Sequence, residues 1–150
     1  MSATIKNLES ALAGESTAHI KYLYFAKIAR EEELHDVADH FEHTARQELV
    51  HAWGHLELLI GKPSTKECLE KAIEGETYEY TSMYPQFKAV AEAEGDIEAA
   101  KEADQQIEES KEHAEQFKEV LKKAERRFAA LAKIEQRHAS AYQKMLEEVQ

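Results

Sequence analysis

The sequence of 150 residues has one cysteine, five glycines and two prolines. A lone cysteine, Cys68, allows neither an internal disulfide nor a Cys-x-x-Cys metal site, so oxygen and nitrogen atoms would have to hold any metal. No apolar run approaches the roughly 20 residues of a membrane-spanning helix, and no signal-peptide pattern opens the chain, so we expect a cytoplasmic protein. The 30 acidic side chains outnumber the 19 basic ones, which disfavours nucleic acid and anionic membranes as partners.

The few glycines and prolines fall where helices would end. Gly61-Lys62-Pro63-Ser64 combines a glycine stop, a helix-breaking proline and a serine cap, and Gly95-Asp96 repeats the glycine stop with an acidic cap. Apolar residues recur at three- and four-residue steps without sustained alternation, which indicates helices and no strands. We predict an all-α protein with a single domain over residues 1–150 and helices over about 3–30, 34–60, 66–94 and 96–148.

Acidic side chains interrupt the apolar stripe of every predicted helix. Glu15 lies on the first stripe, Glu48 on the second, Glu76 and Glu79 on the third, and Glu135 on the last. Buried unpaired carboxylates are costly, and several of them converging in one bundle repel one another. A cation between them would remove that repulsion.

Histidines accompany two of these carboxylates at helical spacing. Glu48-x-x-His51 and Glu135-x-x-His138 each place a carboxylate and an imidazole side by side on one helix face. With carboxylates alone on the other two helices, this is the pattern of a di-iron or di-manganese carboxylate bundle. Such ligands suit iron or manganese, so we predict two iron ions per site, with manganese or zinc as alternatives. The predicted metal ligands are Glu15, Glu48, His51, Glu76, Glu79, Glu135 and His138.

Longer motifs around these residues resemble those of the rubrerythrin family over nearly the whole chain. The matching motifs are Gly14-Glu15-Ser16-x-Ala18 with Tyr22 and Phe25-Ala26, Glu48-x-x-His51-Ala52, Gly75-Glu76-x-x-Glu79 running into Met83-Tyr84-Pro85-x-Phe87, and Glu135-x-x-His138-Ala139. The resemblance implies a ferritin-like four-helix bundle in which the predicted ligands hold a di-iron centre.

The resemblance also implies a function, which is reduction of hydrogen peroxide to water at a diferrous site in oxidative-stress protection. Glu79 and His51 would exchange on one iron between the oxidised and reduced states, and Tyr22 and Tyr84 would lie close to the metals. These four are the implied catalytic residues. Because the sequence resembles the short, bundle-only members, electrons would come from a separate carrier such as rubredoxin.

The last Glu–His pair stands about seven helical turns later than the resemblance implies. The family spacing leads instead to Ser110, in a segment that also holds Glu109 and His113, and a symmetric hairpin about Gly95 favours His113 as well. Glu135 and His138 satisfy both the motif and the helix face, so we assign them as ligands and keep Glu109 and His113 as the alternative. An insertion-like segment over about 97–125 would explain the displacement.

The long predicted last helix favours association of two copies of the chain. A helix over residues 96–148 would be about 80 Å long, and a lone bundle cannot cover its apolar positions Phe117, Leu121, Phe128 and Leu131. We expect a homodimer, either helix-swapped with sites built from both subunits or carrying a protruding intrachain hairpin. A ferritin-like ferroxidase or iron-storage subunit is the competing function, and a scaffold bundle that binds zinc or no metal is the third.

Overall fold

The computed structural model describes residues 2–148, and this part of the chain is helical with no strand. Its elements are α1 (Ala3–Glu31), α2 (His35–Ile60), α3 (Thr65–Tyr78), a π-helix (Glu79–Met83), α4 (Tyr84–Glu94) and α5 (Ile97–Glu148). Because α3, the π-helix and α4 are continuous, residues 2–148 form four long helices at the predicted positions, and the all-α class is confirmed. Met1, Val149 and Gln150, which belong to the predicted domain, lie outside the described residues.

Local caps set the helix boundaries that the sequence predicted. The Ser64 hydroxyl accepts a hydrogen bond from the Glu67 N–H (3.3 Å), and the Glu67 carboxylate accepts one from the Ser64 N–H (2.7 Å), which forms a capping box. The Asp96 carboxylate accepts a bond from the Ala99 N–H (3.0 Å) at the start of α5. Each cap satisfies a backbone donor that the first helical turn leaves without a partner.

The chain divides into two compact units, Met1–Pro63 and Ser64–Gln150. In the first unit α1 and α2 pack as a helical hairpin, and the buried alanines Ala26, Ala29 and Ala38 form its core with Phe41 packed against them. Near the turn, the Arg30 guanidinium donates hydrogen bonds to Asp39 (2.8 Å) and Glu42 (2.7 Å). These ion pairs tie α1 to α2 on the solvent side.

In the second unit α5 packs along α3, the π-helix and α4. The buried residues are Ala91, Ala103, Ser110 and Ala114. The Lys88 amine of α4 donates to Asp104 (2.6 Å), and the Lys66 amine near the start of α3 lies 3.1 Å from Glu125. The two ion pairs lie towards opposite ends of the stretch of α5 that runs beside α3 and α4.

The turns of the two hairpins have the same backbone geometry. In each, an N–H donates to the carbonyl five residues earlier, at 2.8 Å for Leu34 and 2.9 Å for Asp96, as in a Schellman motif. The residue before each donor has a positive φ, 63° at Glu33 and 78° at Gly95. Glycine adopts this conformation without steric cost, whereas Glu33 holds it under strain.

The π-helix was not predicted, and it changes which residues of the third helix face inward. Hydrogen bonds in a π-helix span five residues instead of the four of an α-helix, so a short π-helix inserts one extra residue. The inward positions therefore move on by one residue, so Tyr84 is half-buried and Ala91 is buried. Phe87 and Val90, which the predicted stripe placed inside, are exposed, and the stripe was wrong there for this reason.

Helix α5 runs for 52 residues without a break, a length of about 78 Å. Residues 2–148 therefore contain the predicted long last helix, and they contain no protruding intrachain hairpin. Residues 97–125, predicted to be insertion-like, pack along α3 and α4, and residues 126–148 are exposed throughout. Within residues 2–148, no helix has the combination of length and hydropathy needed to cross a membrane.

Candidate metal centre

The first hairpin brings three predicted ligands together. Glu15 of α1 and Glu48 and His51 of α2 each offer one ligand atom, and these atoms lie within 4.8 Å of one another. His51 Nδ1 lies 3.3 Å from Glu48 Oε2 and 3.9 Å from Glu15 Oε2. Both carboxylates are half-buried and the imidazole is exposed. We call these residues the α1–α2 cluster; they offer a metal ion two carboxylates and one imidazole.

Glu15 and Glu48 of the α1–α2 cluster influence each other's ionisation. A hydrogen bond from the Glu15 carboxyl to the Glu48 carboxylate raises the pKa of Glu15, and burial raises it further. The same hydrogen bond lowers the pKa of Glu48, with a further contribution from His51. A cation that binds between two carboxylates competes with protons for their oxygens.

The second unit carries a related cluster. Glu76 Oε2 on α3 lies 3.5 Å from Nδ1 of His113 on α5. Glu79, the first residue of the π-helix, accepts a 2.9 Å hydrogen bond from the hydroxyl of Ser110. Both carboxylates are half-buried and Ser110 is buried. We call these four residues the α3–α5 cluster, in which Ser110 fixes the orientation of Glu79.

One oxygen of the α3–α5 cluster lacks a hydrogen-bond partner. Glu76 Oε2 is buried and accepts no hydrogen bond from any described residue, because His113 approaches it without hydrogen-bond geometry. A buried carboxylate oxygen without a donor is costly unless a proton or a cation meets it. Together with the close approach of Glu15, Glu48 and His51, this oxygen indicates that both clusters fit a cation that prefers oxygen and imidazole ligands.

Tyr84 stands beside the carboxylates of the second unit. Burial raises the pKa of its phenol, and the negative charges of neighbouring carboxylates, first Glu79, raise it further. The phenol therefore keeps its proton at neutral pH and can donate a hydrogen bond. Glu109 is one of these neighbours; it is half-buried and accepts a 2.7 Å hydrogen bond from the Gln105 amide.

Tyr22, its predicted counterpart, packs among aromatic rings of the first hairpin. Its ring centroid lies 6.3 Å from that of Phe25 and 6.1 Å from that of Phe41. Nearby, His19 Nδ1 lies 2.7 Å from the Ala45 carbonyl oxygen and is thereby bonded to the backbone of α2. The structure gives both side chains a packing role, and a catalytic role for Tyr22 stays a prediction.

The candidate ligands on α5 are separated along the helix. Glu109 and His113 lie at the level of Glu76 and Glu79, whereas Glu135 and His138 lie on the exposed end of α5. His138 is about 37 Å beyond His113 at the rise of an α-helix. Within the second unit the structure therefore brings His113, and not His138, to a predicted carboxylate. Either pair of ligands stays a prediction.

The two clusters occupy corresponding places in the two hairpins. Glu15 and Glu76 are each preceded by glycine and lie 61 residues apart. After the π-helix, which adds one residue to the second hairpin, corresponding residues of the two hairpins lie 62 residues apart. The pairs at that separation are Tyr22/Tyr84, Phe25/Phe87, Glu33/Gly95, Glu48/Ser110, His51/His113 and Ala52/Ala114. This repeat and the hydrogen bond of Ser110 to Glu79 were not predicted from the sequence. The constant separation is the signal that points to His113.

Comparison with known proteins identifies the family. A family model described as Rubrerythrin matches residues 6–121. The chain belongs to the rubrerythrin family. Among its rubrerythrin relatives, nigerythrin from Nitratidesulfovibrio vulgaris is 38% identical over 111 residues, covering 65% of this chain and 55% of that protein. Rubrerythrin from Porphyromonas gingivalis is 40% identical over 112 residues, covering 66% of this chain and 56% of that protein.

A putative rubrerythrin from Methanocaldococcus jannaschii is 37% identical over 122 residues, covering 67% of this chain and 60% of that protein. The chain thus spans 55% to 60% of the length of these three relatives. A solved structure of nigerythrin in a mixed-valence state is 32% identical and covers 83% of this chain and 68% of that chain, with a TM-score of 0.42.

Membership confirms the resemblance and the predicted ferritin-like class, and the family is one that binds non-haem iron. The family model ends at residue 121. The family-matching part of the chain therefore includes both clusters and Glu109, and it excludes Glu135 and His138. Any role of residues 122–148 has to be argued from this chain alone.

Proposed function

We propose that this chain holds a carboxylate-bridged di-iron centre and reduces hydrogen peroxide to water. The observation that carries the proposal is a carboxylate–imidazole contact at corresponding places in both hairpins, at 3.9 Å between Glu15 and His51 and at 3.5 Å between Glu76 and His113. Each hairpin offers one imidazole and at least two carboxylates, which is half of the ligand set of a two-metal bundle site.

The proposed ligands combine the two clusters. They are Glu15, Glu48, His51, Glu76 and Glu79, completed by Glu109 and His113 from α5. Three observations support the choice on α5: the contact of His113 with Glu76, the half-buried position of Glu109, and the 62-residue separation of His113 from His51. Glu135 and His138 remain the competing pair.

When bound, a diferrous pair supplies the two electrons that cleave the O–O bond, and two protons complete the two water molecules. The chain's own part is to deliver protons and to position ligands. Tyr84 holds its phenolic proton at neutral pH beside the carboxylates, so we assign it as a hydrogen-bond donor to bound peroxide. Ser110 binds one oxygen of Glu79 and leaves the other free.

Glu79 and His51 are the ligands that we propose to exchange during the redox cycle. Glu79 stands on the π-helix, where the helical ladder is interrupted, and His51 is the exposed member of the α1–α2 cluster. Tyr22, the counterpart of Tyr84 in the repeat, is the fourth residue that we place near the metals.

Electrons would come from a separate carrier such as rubredoxin. A rubredoxin-type iron site needs four cysteine thiolates, and the 150 residues contain one cysteine. These 150 residues therefore cannot themselves hold such a site.

Stopped-flow oxidation of the anaerobically prepared diferrous protein tests the function. We expect hydrogen peroxide to oxidise it much faster than dioxygen, and turnover to continue when reduced rubredoxin is added. Zinc-loaded protein is the redox-inert control and should show neither reaction. Equal rates with the two oxidants, followed by ferric mineral, would replace the peroxidase by the ferroxidase.

A further inference from the structure

Residues 121–148 at the end of α5 form an amphipathic helix of four heptads. Along α5 the inward positions alternate in steps of three and four residues, from Ala103 through Ser110 and Ala114 to Phe117. The same register continues without a break through Leu121, Ala124, Phe128, Leu131, Glu135, His138, Tyr142 and Met145. A heptad pattern sustained over four repeats is typical of a coiled coil. We call these positions the terminal seam.

The terminal seam is exposed in the second unit. Lys66, next to the first residue of α3, pairs with Glu125, so α3 runs alongside α5 only up to this level. Beyond it Phe128 is 54% exposed, Leu131 48%, Tyr142 71% and Met145 62%. An apolar stripe of this length in water calls for a partner that covers it.

The charges of this segment lie away from the seam. Residues 122–150 carry seven basic and four acidic side chains, whereas residues 1–121 carry 12 basic and 26 acidic ones. Six of the seven basic residues occupy outer heptad positions, and Arg127 alone flanks the seam. The positive charge therefore faces solvent and does not oppose the approach of a second helix with the same sequence.

We propose that residues 121–148 pair with the same segment of a second copy in an antiparallel coiled coil. The two-fold axis passes between Gln136 and Arg137. In this register Glu135 lies opposite the partner's His138, and His138 lies opposite the partner's Glu135. The dimer would thus contain two Glu135–His138 pairs within an otherwise apolar seam. Polar pairs within a seam fix the register of a coiled coil.

The same register matches the other seam positions. Leu131 lies opposite the partner's Tyr142, and Phe128 lies opposite the partner's Met145, a sulfur–aromatic contact. Beside the seam, Ala132 meets the partner's Ala139, which allows the two backbones to approach closely.

Flanking charges favour the same arrangement. Arg127 lies opposite the partner's Glu148, so a pair of opposite charge closes each end of the coil. A parallel arrangement would instead set Glu135 against the partner's Glu135 and His138 against the partner's His138. Charge complementarity therefore selects the antiparallel orientation and a second copy of this chain as the partner.

Sedimentation equilibrium of the full-length protein at micromolar concentration tests the pairing. We expect a dimer whose dissociation constant rises about a hundredfold on Leu131→Glu, because each dimer would bury two unpaired charges. Ala130→Glu, which adds the same charge on the outer face, is the matched control and should leave the dimer intact. Iron content should not change in either variant, which separates this test from that of the proposed function.

A monomeric wild-type protein would overturn the proposal and leave the seam to a partner of other chemistry, or to another part of the same chain. A dimer that Leu131→Glu leaves unchanged would overturn it equally, because its interface would lie elsewhere.

Disulfide trapping tests the orientation in a Cys68→Ser background. A mixture of Leu131→Cys chains with Tyr142→Cys chains should form a covalent heterodimer. Leu131→Cys chains alone should not cross-link, because the two 131 positions would lie about 16 Å apart along the axis. Efficient cross-linking of Leu131→Cys chains alone would indicate a parallel pair and would overturn the antiparallel register.

Discussion

The assignment of metal ligands depends on two histidines of α5. His113 lies 3.5 Å from Glu76, whereas His138 lies on the exposed end of the same helix. We expect His113→Ala to lose one or both iron ions per chain and His138→Ala to retain both, because only the first removes an imidazole beside the carboxylates. Iron analysis of the two variants after identical reconstitution provides the measurement.

Circular dichroism of both variants should show unchanged helix content, since neither imidazole supports the hairpin packing. If His138→Ala loses iron and His113→Ala keeps it, then Glu135 and His138 are the ligands and α5 contributes to a site through its far end.

The raised pKa of Glu15 makes metal binding dependent on pH. Because the pKa of Glu15 is raised, its carboxyl still holds a proton where a free glutamate has lost it, and a bound metal must displace that proton. Metal affinity should therefore fall as the pH falls through the raised pKa. Titration calorimetry with Mn²⁺ in two buffers of different ionisation enthalpy counts the protons released.

The amide of Glu15→Gln has no such proton to release. We therefore expect this variant to bind Mn²⁺ more weakly but measurably, and to release fewer protons per bound ion. Metal binding by the wild-type protein without any proton release would contradict the raised pKa of Glu15.

At the scale of elements, the two turns differ in one informative residue. Glu33 and Gly95 share a left-handed conformation, but only glycine adopts it freely. Glu33→Gly should therefore raise the free energy of unfolding by about 0.5–1 kcal/mol. Urea denaturation followed by circular dichroism measures the change.

Glu32→Gly is the matched control, because Glu32 has a φ of −88° and gains nothing from glycine. We expect this variant to be less stable than the wild type by about 0.5 kcal/mol, since glycine has more freedom to lose on folding. Equal effects of the two substitutions would show that Glu33 is not strained.

The helices and their ends were predictable because their signals are local. Ser64 with Glu67, and Asp96 with its helix N-terminus, are capping patterns that act within one turn. The three- and four-residue periodicity likewise depends on neighbours along one helix. The π-helix was not predictable in this way, because the sequence of Glu79–Met83 is equally compatible with an ordinary α-helix.

Half of the candidate site followed from sequence for the same reason. Glu48 and His51 are close in sequence, and the turn at Glu33 brings Glu15 to their level. The other half requires knowledge of how α5 packs on α3. The heptad register continues for the whole of α5 and places Ser110 and His138 on the same stripe, with His113 beside it. Periodicity alone therefore favours His138, and only the packing of α5 against Glu76 and Glu79 points to His113.

At the scale of the whole molecule, charge divides the chain at about residue 121. The part that matches the rubrerythrin model is strongly acidic, and the part beyond it is basic. A chain ending at Leu121 should bind as much iron as the full chain and should no longer dimerise, because it keeps both clusters and loses the terminal seam. Light scattering coupled to iron analysis measures both properties.

The matched control for this truncation is the full chain carrying Leu131→Glu, which should equally lose the dimer. A truncated protein that remains dimeric would place the interface within residues 1–121. A truncated monomer that has lost iron would instead support Glu135 and His138 as ligands.

The surplus residue of the π-helix also affects how the ligand helix can move. A bulge of one residue can migrate along a helix by exchanging one hydrogen bond at a time, and each step turns the intervening residue by about 100° and shifts it by about 1.5 Å. Glu79 begins this segment and is held at one oxygen by a single serine hydroxyl. The proposed exchange of Glu79 with His51 would therefore leave α3 and α4 folded on either side. Amide hydrogens of residues 79–83 should accordingly be among the least protected of the third helix.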